Sequence, residues 1–120
     1  MRILLLLLCI NLVSMAQSPI IQGHRGCRGL YPENSLPAFQ HALEMGVTVL
    51  EMDVCLSKDG QVYVSHEPYM NPLYASFSDG RPVSDASINL YQKTYAEIKS
   101  FDVGSRGNKL FPEQAKVATY

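Results

Sequence analysis

Val47-Thr48-Val49-Leu50-Glu51-Met52-Asp53-Val54-Cys55-Leu56-Ser57-Lys58-Asp59-Gly60-Gln61-Val62-Tyr63-Val64-Ser65-His66 decides the fold. Val47 to Cys55 alternates as a strand does: Val49, Glu51, Asp53 and Cys55 point one way, and Leu50, Met52 and Val54 the other. The apolar face is expected to lie against helices, which leaves two carboxylates aimed together from the opposite face. Asp59-Gly60 is a strong hairpin signal, and Val62 to His66 is the returning strand. If Asp59-Gly60 form a two-residue turn, Lys58 pairs with Gln61 and Asp53 sits directly opposite His66. Their Cβ atoms would then be about 4.5–5.5 Å apart, and a one-residue slip would turn His66 to the other face.

Upstream, Pro19 to Gln22 reads as a short strand entering the loop Gly23-His24-Arg25-Gly26-Cys27-Arg28-Gly29. Its glycines permit positive φ and close approach of a ligand to the backbone. No Gly-Lys-Ser/Thr follows, so it is not a P-loop. Pro32-Glu33-Asn34-Ser35 starts a helix, with Asn34 or Ser35 as cap and Pro37 in the first turn. Leu36, Phe39 and Leu43 recur at helical spacing with Ala38 and Ala42 beside them, and Gly46 supplies the stop. His41 falls on the polar side and reads as a surface residue. Strand, helix and strand make a βαβ unit with a parallel pair, the start of an α/β fold.

Downstream of Pro68 the pattern loosens, and 68–110 reads as a long loop or insertion. Within it, Thr94-Tyr95-Ala96-Glu97 is a capping box opening a short helix through about Phe101.

At the other end, Met1-Arg2 precedes an almost wholly apolar run from Ile3 to Val13, and Ser14-Met15-Ala16 offers small residues for cleavage. Residues 1–16 are therefore expected to be a signal peptide, cut after Ala16. The run is short of the roughly 20 residues that span a bilayer, so no transmembrane anchor is expected after cleavage. The product would be secreted or periplasmic, and Cys27 and Cys55 could then pair or remain free thiols. The 120 residues carry 47% hydrophobic and 18% charged side chains and a net charge of -1. Such a chain can bury a core, and nothing in its charge points to nucleic acid.

The chemistry-bearing groups gather at one end of the strands, where parallel α/β folds bind ligands. They are His24, Arg25, Glu51, Asp53 and His66. Two carboxylates on one face repel, and something positive must compensate. A hard divalent cation, Ca²⁺ or Mg²⁺, would do so, and so would Arg25 or solvent. Two histidines beside such a centre suit acid–base attack at phosphorus, although each alone could be a hydrogen-bonded structural residue.

The ordered motifs His24-Arg25-Gly26, Pro32-Glu33-Asn34-Ser35, Glu51-Met52-Asp53-Val54, Lys58-Asp59-Gly60 and Val64-Ser65-His66 resemble the glycerophosphodiester phosphodiesterase signature. The resemblance implies a TIM (β/α)₈ barrel of the PLC-like phosphodiesterase type. It implies His24 and His66 as the acid–base pair, Glu51 and Asp53 as metal ligands, and Arg25 as a phosphate contact. It also implies a small glycerophosphodiester substrate. Glu67 stands where the family usually has Asp, and Ser35 where it has Thr. A barrel takes about 250 residues. Residues 17–120 are accordingly expected to be the N-terminal part of the domain, with the third metal ligand beyond Tyr120. Two other functions fit the same residues: another PLC-like phosphodiesterase, or a truncated, non-catalytic secreted remnant.

Overall fold

The computed structural model describes residues 18–119. The expected signal peptide, residues 1–16, lies outside them. Strand β1 (Gln22–Gly23) runs through a tight loop into helix α1 (Leu36–Glu44) and returns in strand β2 (Val49–Leu50). The two strands pair in parallel, Gln22 with Val49 and Gly23 with Leu50, as expected of a βαβ unit.

Ser35 is the residue that caps α1. Its extended backbone lets Oγ accept from the Ala38 amide, and the helix closes on Gly46 at φ 84°. Of the apolar residues of α1, the alanines are the ones buried. Ala38 and Ala42 are fully covered, while Leu36 is 83% and Leu43 56% exposed. The reason lies in the loop glycines. A Cβ on Gly26 would fall 2.8 Å from the Ala38 backbone, and one on Gly23 would fall 3.3 Å from the Ala42 Cβ. Gly23 and Gly26 thus admit the helix, and only small residues fit the seam.

The predicted strand from Val47 to Cys55 is interrupted. β2 ends where β1 turns away, and the Glu51 amide makes the last bond to that strand, at the Gly23 carbonyl. Pairing then resumes with another partner. Strand β3 (Val54–Leu56) forms an antiparallel hairpin with strand β4 (Val62–Val64). The hairpin register is one residue off the expected one: Val54 pairs Val64 and Cys55 pairs Tyr63. Ser57 closes the loop against Gln61, so the connection is the three residues Lys58-Asp59-Gly60, with Gly60 left-handed at φ 77°. Ser57 Oγ fixes this choice by accepting the Gln61 amide at 3.0 Å. Asp53 therefore meets Ser65, whose amide donates to the Asp53 carbonyl, and not His66.

Alternation survives this correction, but the covered face is the other one. Glu51, Asp53 and Cys55 are half-buried, whereas Met52, Val54, Leu56, Val62 and Val64 are exposed. Residues 69–101 wrap the first of these faces and carry the core of Met70, Ala75, Val83, Leu90, Ile98 and Phe101 around Tyr63. Within them a 3₁₀ turn (Leu90–Gln92) precedes helix α2 (Tyr95–Ile98), which starts in the expected capping box and stops short of Phe101. Asp59 ties the hairpin loop to α2 by accepting from the Tyr95 amide at 2.9 Å. Further on, the Gln114 amide group donates to the carbonyls of Arg28 and Tyr31 and holds this region to the first loop.

The described residues form two two-stranded sheets and no closed barrel. None of their helices is long and apolar enough to cross a membrane.

Candidate active site

Arg25 is the hub. It sits at φ 52°, an uncommon conformation for a residue with a long side chain, and Asn34 shares it at φ 54°. The fold holds both. The Arg25 amide donates to Glu51 Oε2 at 2.7 Å, and the Asn34 amide to the Arg25 carbonyl at 3.0 Å. Arg25 Nη1 donates to Glu33 Oε1 at 2.8 Å, and Nε lies 3.5 Å from Asp53 Oδ2. Burial alone would lower the Arg25 pKa. The hydrogen bond and charge of Glu33, with the charges of Asp53 and Glu67, outweigh that and raise it. The guanidinium is thus a fixed cation amid carboxylates.

Glu51 and Asp53 are both engaged by this hub, each through one oxygen. Glu51 Oε2 takes the Arg25 amide, and Asp53 Oδ2 takes the Asn34 side-chain amide at 3.0 Å. Glu51 Oε1 and Asp53 Oδ1 make no hydrogen bond among the described residues. Two half-buried carboxylates, each with a free oxygen, fit a hard divalent cation, which prefers oxygen ligands. Among the described residues no group of three His, Cys, Asp or Glu side chains gathers to hold one.

The histidines flank the hub on different sides. His24 Nε2 lies 3.9 Å from Glu51 Oε2 and the ring is 57% exposed. It borders a groove of about 340 Å³ beside Gly23 and Cys27. His66 follows the last rung of the hairpin, and its Nδ1 lies 2.9 Å from Glu67 Oε1. It borders a separate cavity of about 650 Å³, along with Glu33, Asn34, Ser65 and Tyr74. The two rings do not share one hollow. They are joined through carboxylates, because Glu51 bonds Arg25 and Glu67 acts on Arg25 by its charge.

Of the expected site residues, His24, Arg25, Glu51 and Asp53 come together directly, and His66 joins through Glu67. Three participants were not foreseen in these roles. Glu33 and Asn34 were read as a helix start, and Glu67 as a departure from a motif. A left-handed position favours Asn, which is the one sequence signal that could have pointed to Asn34. Cys27 and Cys55 are free thiols, and burial raises the pKa of Cys27, whose Sγ donates to the Ala38 carbonyl.

The sequence profile of the Glycerophosphoryl diester phosphodiesterase family matches residues 24–120. The chain belongs to this family. Among family members, a glycerophosphodiester phosphodiesterase of Bacillus altitudinis is 49% identical over 51 residues, which is 42% of this chain and 21% of that protein. A solved family structure from Silicibacter pomeroyi superposes with a TM-score of 0.77 at 34% identity, covering 84% of this chain and 37% of that one. A phosphodiesterase of Oleispira antarctica, solved in complex with the product sn-glycerol-3-phosphate, superposes at 0.59 with 30% identity, covering 79% and 34%. These solved structures are TIM barrels, and this chain superposes on part of each. It spans about a fifth of the Bacillus phosphodiesterase and about a third of each solved chain.

Proposed function

We propose that the protein carrying this chain hydrolyses glycerophosphodiesters to glycerol 3-phosphate and an alcohol, with His24 and His66 as its acid–base pair. The observation that carries this reading is the hub: one fixed arginine holds both carboxylates of the Glu51-Met52-Asp53 motif beside His24. The product-bound Oleispira relative supports glycerol 3-phosphate as the product class.

Arg25 orients Glu51 and Asp53, and its Nη2, which makes no hydrogen bond within the described residues, is the group offered to a phosphoryl oxygen. Glu51 and Asp53 would hold Ca²⁺ or Mg²⁺. A bound divalent cation would neutralise charge on the phosphoryl oxygens. His24 takes the proton from the substrate's neighbouring hydroxyl, whose oxygen attacks phosphorus to close a cyclic phosphate, and His66 gives a proton to the departing alcohol oxygen. In-line displacement wants base and acid on opposite sides of phosphorus. Water then opens the cyclic phosphate with the two roles exchanged.

The test is turnover of glycerophosphocholine with and without a chelator, in the wild type and in His24→Ala. Activity should fall with chelation and return with Ca²⁺ or Mg²⁺. His24→Ala should lose about 10²–10⁴-fold in kcat with an unchanged circular dichroism spectrum. Full activity in that variant would sink the acid–base role. A folded, metal-supplied wild type that turns nothing over would favour a non-catalytic binding protein. We also propose export, from the reading of residues 1–16 as a signal peptide. N-terminal sequencing of the mature protein should begin at Gln17.

A further inference from the structure

We propose that Glu67 and Tyr74 are positioning residues that hold the His66 ring in one orientation and one tautomer, with Nε2 free for proton transfer. This rests on the acid–base reading of His66 and extends it to two residues with no assigned role.

The geometry is a relay of three side chains. His66 Nδ1 meets Glu67 Oε1 at 2.9 Å, and Tyr74 Oη donates to Glu67 Oε2 at 3.1 Å. The backbone beneath is tied as well, since Ser65 Oγ donates to the Glu67 carbonyl at 2.9 Å. An imidazole that is 43% exposed is free to turn and to exchange tautomers unless a neighbour fixes it. Here the neighbour is fixed first, because the Glu67 side chain is only 18% exposed. Burial alone would raise the Glu67 pKa. Hydrogen bonds from His66 and Tyr74, the His66 charge and a hydrogen bond from Asn71 outweigh it and hold Glu67 below the usual carboxylate range. An ionised carboxylate only accepts, so the proton between the pair sits on Nδ1.

Tyr74 suits its part. Burial, first, and the charges of Glu33 and Glu67 push its pKa far above the ordinary tyrosine value, so the phenol remains a donor throughout. The groups facing the relay are Arg25, Glu33 and Asn71, and none of them bonds His66. Glu67 also has one methylene more than Asp at this position of the motif. That added length lets one carboxylate span His66 and Tyr74 together.

The experiment records the ¹⁵N spectrum of the His66 ring nitrogens and steady-state kinetics on glycerophosphocholine, in the intact protein. The wild type should show the Nδ1–H tautomer. Tyr74→Phe, which keeps the ring and deletes the donor, should show mixed tautomers. Its kcat should fall about tenfold with KM within a factor of two, in line with the losses seen on removing outer hydrogen-bond partners. Glu67→Gln should shift the spectrum further and lose more. Glu67→Asp should behave like Tyr74→Phe, because the shorter arm drops one partner. If Tyr74→Phe fails to fold, Glu67→Gln carries the same readout. Retention of the Nδ1–H tautomer and of kcat in both variants overturns the proposal, and so does an Nε2–H tautomer in the wild type. The spectrum needs no turnover. An inactive wild type whose tautomer still shifts in Tyr74→Phe would leave the positioning role standing and remove the function proposed above.

Discussion

Arg25 and Asn34 occupy left-handed backbone on either side of the loop that leads into α1, and each touches a carboxylate of the Glu51–Asp53 pair. Such a conformation costs roughly 1–2 kcal/mol for a residue with a Cβ. It persists here because four hydrogen bonds, one of them also the ion pair to Glu33, and a further ion pair to Asp53 over-determine it. Arg25→Ala would leave Glu33, whose side chain is 9% exposed, as a buried charge without its hydrogen-bonded partner, and with Arg28 Nη1 at 3.9 Å as its remaining cation. Urea titration should show a loss of about 3–5 kcal/mol for that change. Adding Glu33→Gln should recover a substantial part of it, since the stranded charge is then gone. No recovery would mean that the guanidinium stabilises by packing alone. The carboxylates could be read from the two-residue spacing of Glu51 and Asp53 on a strand. Glu33 and Tyr74 could not, because their importance arises from contacts that neither periodicity nor capping chemistry encodes.

The seam between the glycine loop and α1 makes a sharper demand than the helix pattern suggested. Gly26 is left-handed at φ 84° and lies against Ala38, so a side chain there meets both steric limits at once. Gly26→Ala should destabilise by about 1–3 kcal/mol in the same titration, and a neutral result would show that α1 can shift to make room. The leucines at helical spacing pointed to a large apolar face, yet close backbone approach selected the alanines. In the hairpin, Asp59-Gly60 announced a turn but not its length. A two-residue loop and a three-residue loop ending in left-handed glycine both use that dipeptide. Ser57 Oγ, bonded to the Gln61 amide, selects the longer one. The βαβ unit and its parallel pair were plain in the sequence, because strand and helix periods differ and each had clear punctuation.

Across the described chain, long-range ties rest on a few polar groups, and Asp102 is one of them. Its Oδ1 accepts from the amides of Gly104, Ser105 and Thr119. Burial alone would raise the Asp102 pKa. The bonds from Ser105, Gly104 and Thr119 outweigh it and hold the carboxyl below its ordinary value of 3.8. A depressed carboxyl contributes stability above that ordinary value and loses it as pH falls through the folded-state value. Glu67 acts in the same sense, from an ordinary value of 4.5. The thermal midpoint should therefore be level near neutrality and drop as pH falls below about 4.5. Asp102→Asn should lower the midpoint at pH 7 and flatten the acid side of the curve. A variant curve parallel to the wild type would assign the acid sensitivity elsewhere.

The hairpin turns Val54, Leu56, Val62 and Val64 to water, at 62%, 53%, 66% and 36% exposure. On a two-stranded ribbon, this hydrocarbon lies beside unpaired strand edges that accept another strand. Sulfate and phosphate strengthen apolar association by being excluded from protein surfaces. The chain should accordingly salt out early, at ammonium sulfate concentrations that leave a well-covered domain in solution, and Val62→Lys should raise that threshold.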